Sequence, residues 1–229
     1  MLNIVYEDNH IIVVVKPQNI PTQEDITKDK DLLTMVKEYI KEKYNKPGNV
    51  YVGLVHRLDR PTGGLMVFAK TSKAAARLCN DIKDGNFDKK YLSVVVGRPQ
   101  FSTNQLVNFL KKNEKDNIVQ IVPQGEEGAK KAVLNYKVLS SKDRLSLVDI
   151  ELETGRSHQI RVQFSGINCP VFGDVKYGGD IVKGWNLALW AYSLRFIHPV
   201  TKQVMNFCCY PPVEDTPWKF FDIKNLENL

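Results

Sequence analysis

Short apolar runs separated by polar turns indicate a chain built mainly of strands, with a few helices between them. The β-branched run at residues 11–15 predicts a buried strand, and apolar residues at helical spacing predict helices over 31–44 and 73–84, the second capped by Ser72. The polar stretch 101–131 predicts short strands and exposed loops. Further strands are predicted at 65–69, 91–96, 133–139, 145–152, 187–196 and 204–209. These elements favour one α+β domain over residues 1–229, with a mixed, mostly antiparallel β-sheet and flanking helices and loops.

Composition adds a moderate preference for a polyanionic partner. The chain has 229 residues, a net charge of +6 and a pI near 9.0, a balance that suits RNA or DNA but also occurs in proteins that bind neither. The four cysteines form no C-x-x-C pair and the histidines lack metal-ligand spacing, so no metal site is expected. No signal peptide and no membrane-spanning run is visible, which favours a cytoplasmic protein.

Several common enzyme classes are disfavoured by missing motifs. The sequence has no G-x-x-x-x-G-K-[ST] phosphate loop and no G-x-G-x-x-G dinucleotide-binding turn. It also lacks the G-x-S-x-G turn that carries a nucleophilic serine in many hydrolases. Any chemistry must therefore come from other residues.

The segment 55–64 sets a carboxylate between two arginines. Asp59 lies between Arg57 and Arg60, directly before the turn Pro-Thr-Gly-Gly. Neighbouring cations favour an ionised carboxylate, and guanidinium groups bind phosphate well. The segment therefore predicts either an ion-paired hairpin or a nucleophilic aspartate that acts on a phosphate-bearing substrate.

Two later segments carry further candidates. Tyr91 begins a predicted strand, where a tyrosine is either a packing residue or a platform on which a nucleobase stacks. The segment 154–161 forms a turn and then an element whose apolar spacing fits both a helix and a strand. Either assignment directs Arg161 away from the apolar face, toward a ligand or a carboxylate. His158 is a general base or a histidine satisfied by backbone hydrogen bonds.

Taken in order, these segments resemble the RluA-type pseudouridine synthases over nearly the whole chain. The matching blocks are residues 5–17, His56 to Asp59 with Thr62 and Gly64, Lys89 with Tyr91, Gly155 to Arg161, and residues 173–178 with 194–199. Any one block is a weak signal, whereas five blocks in the same order are specific. The resemblance implies an enzyme that isomerises uridine in RNA to pseudouridine, with no cofactor and no metal.

The resemblance also implies roles for individual residues. Asp59 corresponds to the nucleophile that attacks the target nucleoside, and Tyr91 to the residue that stacks on the flipped base. Arg161 corresponds to the arginine that pairs with the catalytic aspartate, and Arg57 to the side chain that fills the gap left by the base. Further substrate contacts are expected from the same blocks, at His56, Arg60, Thr62, Arg156, His158 and Gln159.

The chain departs from the family pattern at a few positions. Gly63 replaces the usual serine of the turn, and Trp190 replaces a common histidine, which suggests a change in packing. Because the chain starts almost at the first block, no separate N-terminal RNA-binding domain is expected. Substrate choice is then expected to come from loops such as 18–30 and 101–131, in a monomer that acts on ribosomal RNA, transfer RNA or both.

Two other functions remain open from the sequence. One is a non-catalytic RNA-binding or RNA-chaperone module on the same fold, although binding alone needs no acid of this kind. The other is a hydrolase that cleaves a glycosidic bond, which normally needs two carboxylates, and the motifs contain no second acid.

Overall fold

The computed structural model describes residues 2–178, 185–223 and 225. The chain forms two compact units, one comprising residues Met1–Lys89 and Ala191–Cys209 and the other Lys90–Trp190 and Tyr210–Leu229. The predicted single catalytic domain over residues 1–229 stays a prediction, and each unit is described by itself. Across the described residues, many strands and three α-helices give the α+β class that the sequence predicts.

Unit 1 is a sheet with two helices. Its elements are β1 (Asn3–Glu7), β2 (Ile11–Lys16), α1 (Leu32–Lys43), β3 (Gly53–Leu54), β4 (Gly63–Ala69), α2 (Ser72–Lys83), the first residues of β5 (Phe87–Val96), most of β10 (Leu189–Ile197) and β11 (Val204–Cys208). The strands follow the neighbour order β1-β2-β4-β10, with β3 paired to β4 and β11 paired to β10. The pairings of β1 with β2, of β2 with β4 and of β10 with β11 are antiparallel.

The core of unit 1 is centred on the paired strands β2 and β4, and every residue of both strands is buried. Strands buried on both faces are near-continuous apolar runs, as these are. The helices begin where side-chain oxygens accept backbone N–H groups, at Asp31 for α1 and Thr71 for α2. The predicted cap at Ser72 was wrong by one residue, because the Thr71 hydroxyl accepts from the Ala74 N–H.

Unit 2 is an antiparallel sheet with one helix packed against it. Its elements are the remainder of β5, β6 (Thr103–Asn113), β7 (Ile118–Val122), β8 (Lys130–Lys142), β9 (Leu145–Leu152), α3 (Gln159–Gly166), the first residues of β10 and a 3₁₀ turn (Trp218–Phe220). The strands follow the order β5-β9-β8-β6-β7, and each pairing along this order is antiparallel.

The stretch 101–131 differs from its prediction as short strands and loops. It forms a hairpin of the eleven-residue β6 and the five-residue β7. Only one face of this hairpin is packed, and there Leu110 and Val119 join Ala132 and Val162 in a small apolar cluster. The other residues are largely polar, so the period-two pattern is weak in the sequence.

Helix α3 settles the element that the sequence left open between helix and strand. All of its residues from Gln159 to Phe164 are buried, the polar ones included. The helix therefore has no solvated face, and its polar side chains must find partners inside the unit. Within the described residues no helix is long and apolar enough to cross a membrane. The same residues contain no group of three acidic, cysteine or histidine side chains placed to hold a metal ion.

Candidate active site

Asp59 lies in the loop between β3 and β4, and this loop is fixed by its backbone. The Thr62 N–H donates to the Asp59 carbonyl oxygen at 3.0 Å and closes the turn. Just before Asp59, the backbone of Leu58 is bound on both sides by one hydroxyl: Thr22 Oγ1 donates to the Leu58 carbonyl at 2.8 Å and accepts from its N–H at 3.3 Å. Leu58, Thr22 and Thr62 are buried. Short polar contacts with the backbone thus hold the position of Asp59.

Lys16, at the end of β2, is the residue that sequence reasoning missed. It is fully buried, and its ammonium donates to the carbonyls of Pro17 at 2.9 Å, Ile20 at 2.7 Å and Arg60 at 2.9 Å. Burial lowers the pKa of Lys16 to about 7, against the opposing effect of the Asp59 charge. A lysine that ends a five-residue apolar run is the signal that could have revealed it. The ammonium therefore joins the loop at residues 17–31 (the early loop) to the loop at residues 55–62 (the Asp59 loop).

Gly64 allows β4 to approach β10 closely. Its φ is +119°, and a Cβ built there would lie 2.6 Å from the backbone nitrogen of Ala191. Only glycine meets both conditions. Gly63, which departs from the family pattern, is buried at the start of β4, and the turn keeps its hydrogen bond without a serine there.

The Arg60 side chain is exposed and has partners from the early loop. Its guanidinium donates to Thr27 Oγ1 at 2.9 Å, to Asp25 Oδ2 at 3.4 Å and to Asp29. These carboxylates raise the pKa of Arg60, Asp29 most of all. The predicted RNA contact of Arg60 would have to compete with this network. Arg57, on the same loop, exposes its side chain to solvent.

His56 is a neutral imidazole in this loop. Its Nε2 accepts the Val67 N–H at 3.1 Å, so Nδ1 carries the proton. Burial, and secondarily the charge of Lys89, lowers the pKa of His56 to about 3. The ring packs against Phe87 at 5.3 Å between centroids. His56 thus holds β4 as well as lying near Asp59 in sequence.

In unit 2, Tyr91 lies in β5 opposite Ile150 of β9. Only 6% of its surface is exposed. This burial fits the packing interpretation, while a stacking role would use the small exposed part of the ring. The stacking role stays a prediction.

Arg161 forms a two-pronged ion pair inside unit 2. Its Nε donates to Asp174 Oδ2 at 2.8 Å and its Nη2 to Asp174 Oδ1 at 2.7 Å. Asp174, which is fully buried, also accepts the N–H groups of Lys176 and Tyr177. The Tyr177 ring lies 5.1 Å from the guanidinium carbon. The arginine is therefore fixed in one orientation, and its predicted pairing with Asp59 stays a prediction.

The other predicted substrate residues of unit 2 serve the structure around α3. His158 adopts a left-handed conformation, and its Nδ1 lies 2.7 Å from the Tyr177 hydroxyl. Gln159 is buried; it accepts from Thr154 Oγ1 and from the Arg156 N–H, and donates to the Val133 carbonyl.

Arg156 is exposed, and its Nε donates to the Lys131 carbonyl. Gln159 has the contacts of a scaffold residue, and the substrate roles of Arg156, His158 and Gln159 stay predictions. The other departure from the family pattern, Trp190, is buried, as a packing residue would be.

Known proteins match this chain in sequence and in fold. Residues 10–166 match the family described as RNA pseudouridylate synthase. The ribosomal large subunit pseudouridine synthase D of Vibrio parahaemolyticus is 33% identical and covers 93% of this chain, which spans 68% of that protein. An uncharacterised RNA pseudouridine synthase of Bacillus subtilis is 32% identical and covers 98% of this chain, which spans 71% of that protein.

Two solved human structures share the fold. Human RNA pseudouridylate synthase domain containing 4 superposes with a TM-score of 0.77 at 24% identity, over 92% of this chain and 88% of that one. Human RNA pseudouridylate synthase domain containing 1 gives 0.71 at 26% identity, over 93% and 84%. Together with the sequence matches, they confirm the predicted fold class and family: the chain belongs to the RNA pseudouridylate synthases, isomerases that convert uridine in RNA to pseudouridine.

Proposed function

We propose that this chain isomerises specific uridines in ribosomal or transfer RNA, with Asp59 as the nucleophile. The names of its relatives favour large-subunit ribosomal RNA among these substrates. The reaction must break the bond from the ribose to nitrogen of the base and re-form it to carbon. Such a step needs a nucleophile held in place while the base turns.

The observation that supports the proposal is a set of hydrogen bonds that fix the backbone on both sides of Asp59. Thr22 binds both backbone groups of Leu58, and Lys16 binds the carbonyl of Arg60. A reacting group must be held within roughly 0.5 Å of its productive position, and buried supports of this kind achieve that. An ordinary surface hairpin has no need of a buried ammonium beneath it.

Tyr91 and Arg161 receive their proposed roles from the family motif. A tyrosine face stacked on the flipped uracil would contribute roughly 1–3 kcal/mol. Arg161 uses Nε and Nη2 for Asp174, two of the five N–H donors of a guanidinium. Asp174 would then orient the arginine that the family motif pairs with Asp59.

Arg57 is the proposed replacement for the flipped base. Taking a nucleotide out of its stack costs a few kcal/mol. An exposed arginine can recover part of this cost, since its planar group stacks on bases and binds phosphates.

Turnover of Asp59 variants tests the proposal. Wild type, Asp59→Ala and Asp59→Asn are incubated with transcribed large-subunit ribosomal RNA and transfer RNA, and pseudouridine is quantified by mass spectrometry. Both variants should bind RNA and form no detectable product, while Asp116→Asn, in an exposed turn of unit 2, should match wild type. Wild-type turnover by either Asp59 variant would refute the nucleophile.

The site of modification needs a separate measurement. Pseudouridines are mapped in total RNA from cells with and without the gene. The proposal expects specific positions to disappear with the gene and to return with the wild-type copy but not with Asp59→Asn. Release of free uracil in place of pseudouridine would instead indicate a hydrolase.

A further inference from the structure

Lys89, near the start of β5, is a partly buried lysine. Burial lowers the pKa of its ammonium below the ordinary value of 10.5. Its nitrogen lies 5.8 Å from the centre of the Phe87 ring, which is a weak cation–π contact. The neighbouring carboxylate of Asp88 is bound by Arg195 at 3.2 Å. Within the described residues, Lys89 has no hydrogen-bond acceptor and no carboxylate partner.

Two other lysines of unit 1 have polar partners close to their ammonium groups. Lys16 donates to three backbone carbonyls, and Lys70 binds Glu7 Oε1 and the Asp8 carbonyl, each at 2.6 Å. A partly buried cation without such partners loses hydration that nothing in the protein replaces, so it persists where another requirement keeps it.

His56 provides a second donor next to Lys89. Its Nε2 accepts a hydrogen bond from the Val67 N–H. Its buried Nδ1 has no hydrogen-bond partner in the part of the chain that is described. The Lys89 charge helps to keep this ring neutral. The Lys89 ammonium and the His56 ring both lie against Phe87, and His56 precedes Asp59 by three residues in the chain. Two nitrogen donors without an acceptor among the described residues therefore share this part of unit 1.

We propose that Lys89 binds a backbone phosphate of the substrate RNA. The inference rests on the proposed function, because it takes RNA as the ligand. A phosphate supplies what the site lacks: negative charge and several acceptor oxygens for a compact ammonium. The phosphate compensates Lys89 only while RNA is bound, which explains why Lys89 has no carboxylate partner among residues 2–178, 185–223 and 225.

The test compares stability and RNA binding in the full chain. Lys89→Met removes the charge and keeps the length of the side chain, Lys89→Arg keeps the charge, and Lys83→Met removes a charge from the exposed end of α2. Affinity for a single-stranded oligouridylate is measured by fluorescence anisotropy over a range of salt concentrations. Urea denaturation gives the stability of each variant.

Lys89→Met should unfold at a higher urea concentration than wild type and bind the RNA about tenfold more weakly. Its plot of log affinity against log salt should lose a slope of about 0.7, the value for one phosphate contact on a single strand. Lys89→Arg should retain the wild-type slope, and Lys83→Met should change neither slope nor stability.

Three results would overturn the inference. They are a lower stability of Lys89→Met, which indicates a structural lysine; an unchanged salt slope, which indicates contact with an uncharged group; and a wild-type affinity that does not depend on salt. Because binding is measured without turnover, absence of isomerisation by wild type would refute the proposed function and leave this result standing.

Discussion

The ammonium of Lys16 donates to the carbonyl oxygen of Arg60 at 2.9 Å, across 44 positions of sequence. The bond joins the end of a core strand to the residue that follows Asp59. Because the same ammonium also binds Pro17 and Ile20, one buried charge sets the distance between the early loop and the Asp59 loop. The one charged residue of an apolar strand therefore connects the two loops of this region.

Replacement of Lys16 by methionine should destabilise the protein. The substitution leaves three carbonyls without their donor, each at a cost of about 1–3 kcal/mol, while it also removes the cost of burying a charge. We expect a net loss of about 3 kcal/mol in urea denaturation and a fall in turnover. Lys89→Met is the matched control with the opposite expected sign, so equal effects of the two substitutions would contradict both interpretations.

Gly64→Ala should be among the most damaging small substitutions in unit 1. The new Cβ meets the Ala191 backbone, and a φ of +119° strains any other residue. We expect a loss of about 3 kcal/mol or more in the free energy of unfolding. At Gly48 nothing lies within 4 Å of an added Cβ, so Gly48→Ala should change stability by less than about 1 kcal/mol. Similar losses at both positions would argue against the close approach.

Arg161→Lys should cost both stability and turnover. A lysine keeps the charge but cannot make both bonds to Asp174, and the pair is buried, so we expect a loss of about 2 kcal/mol. Urea denaturation and pseudouridine formation are compared for Arg161→Lys, Asp174→Asn and the double variant. Strongly non-additive losses are expected. Additive losses would mean that the two residues act independently. Arg98→Lys, on another exposed arginine of unit 2, is the control.

His56 should make the protein sensitive to acid. Its pKa is about 3 in the folded chain and 6.5 when unperturbed, so between these values the unfolded chain takes up a proton that the folded chain does not. Stability should then fall as the pH falls from 6.5 toward 3, by up to about 1.4 kcal/mol per pH unit. His56→Gln should flatten this dependence, and His10→Gln should leave it. A steep acid dependence in His56→Gln would assign the effect to other groups.

Release of Arg60 from the early loop should strengthen RNA binding. In the double variant Asp25→Asn, Asp29→Asn the guanidinium loses its carboxylate partners and is available to phosphate. The pairs are exposed and worth at most about 1 kcal/mol, so a gain of about two- to fivefold in affinity is expected. The control Glu42→Gln, Glu127→Gln removes the same charge from exposed positions elsewhere, and an equal gain there would mean a general charge effect.

Much of the fold could be predicted because its strands and helices are marked by local pattern. The strands at 11–16 and 63–69 are continuous apolar runs, and α1 and α2 have capping residues and apolar faces. Helix α3 and the hairpin 103–122 could not be predicted in the same way. The helix is buried all round and includes an arginine and two glutamines, and the hairpin packs only a few apolar residues. Both depend on partners distant in sequence.

In the candidate site, too, residues that are neighbours in the chain could be identified from the sequence, and contacts between distant segments could not. The motif around Asp59 was visible because its residues are neighbours in the chain. The support from Lys16 and Thr22, and the partner Asp174 of Arg161, come from distant segments. No spacing rule connects residues 16 and 60, so these contacts required the structure.

The hydrogen bonds of the early loop divide it into a fixed part and an exposed part. Lys16 and Thr22 fix the two ends of its first part, while Ile26, further along, is fully exposed. Substitutions near Ile26 can alter what the loop meets without moving the carbonyls that Lys16 and Thr22 hold. New RNA contacts could thus be acquired at Ile26 and its neighbours while the loop that carries Asp59 keeps its position.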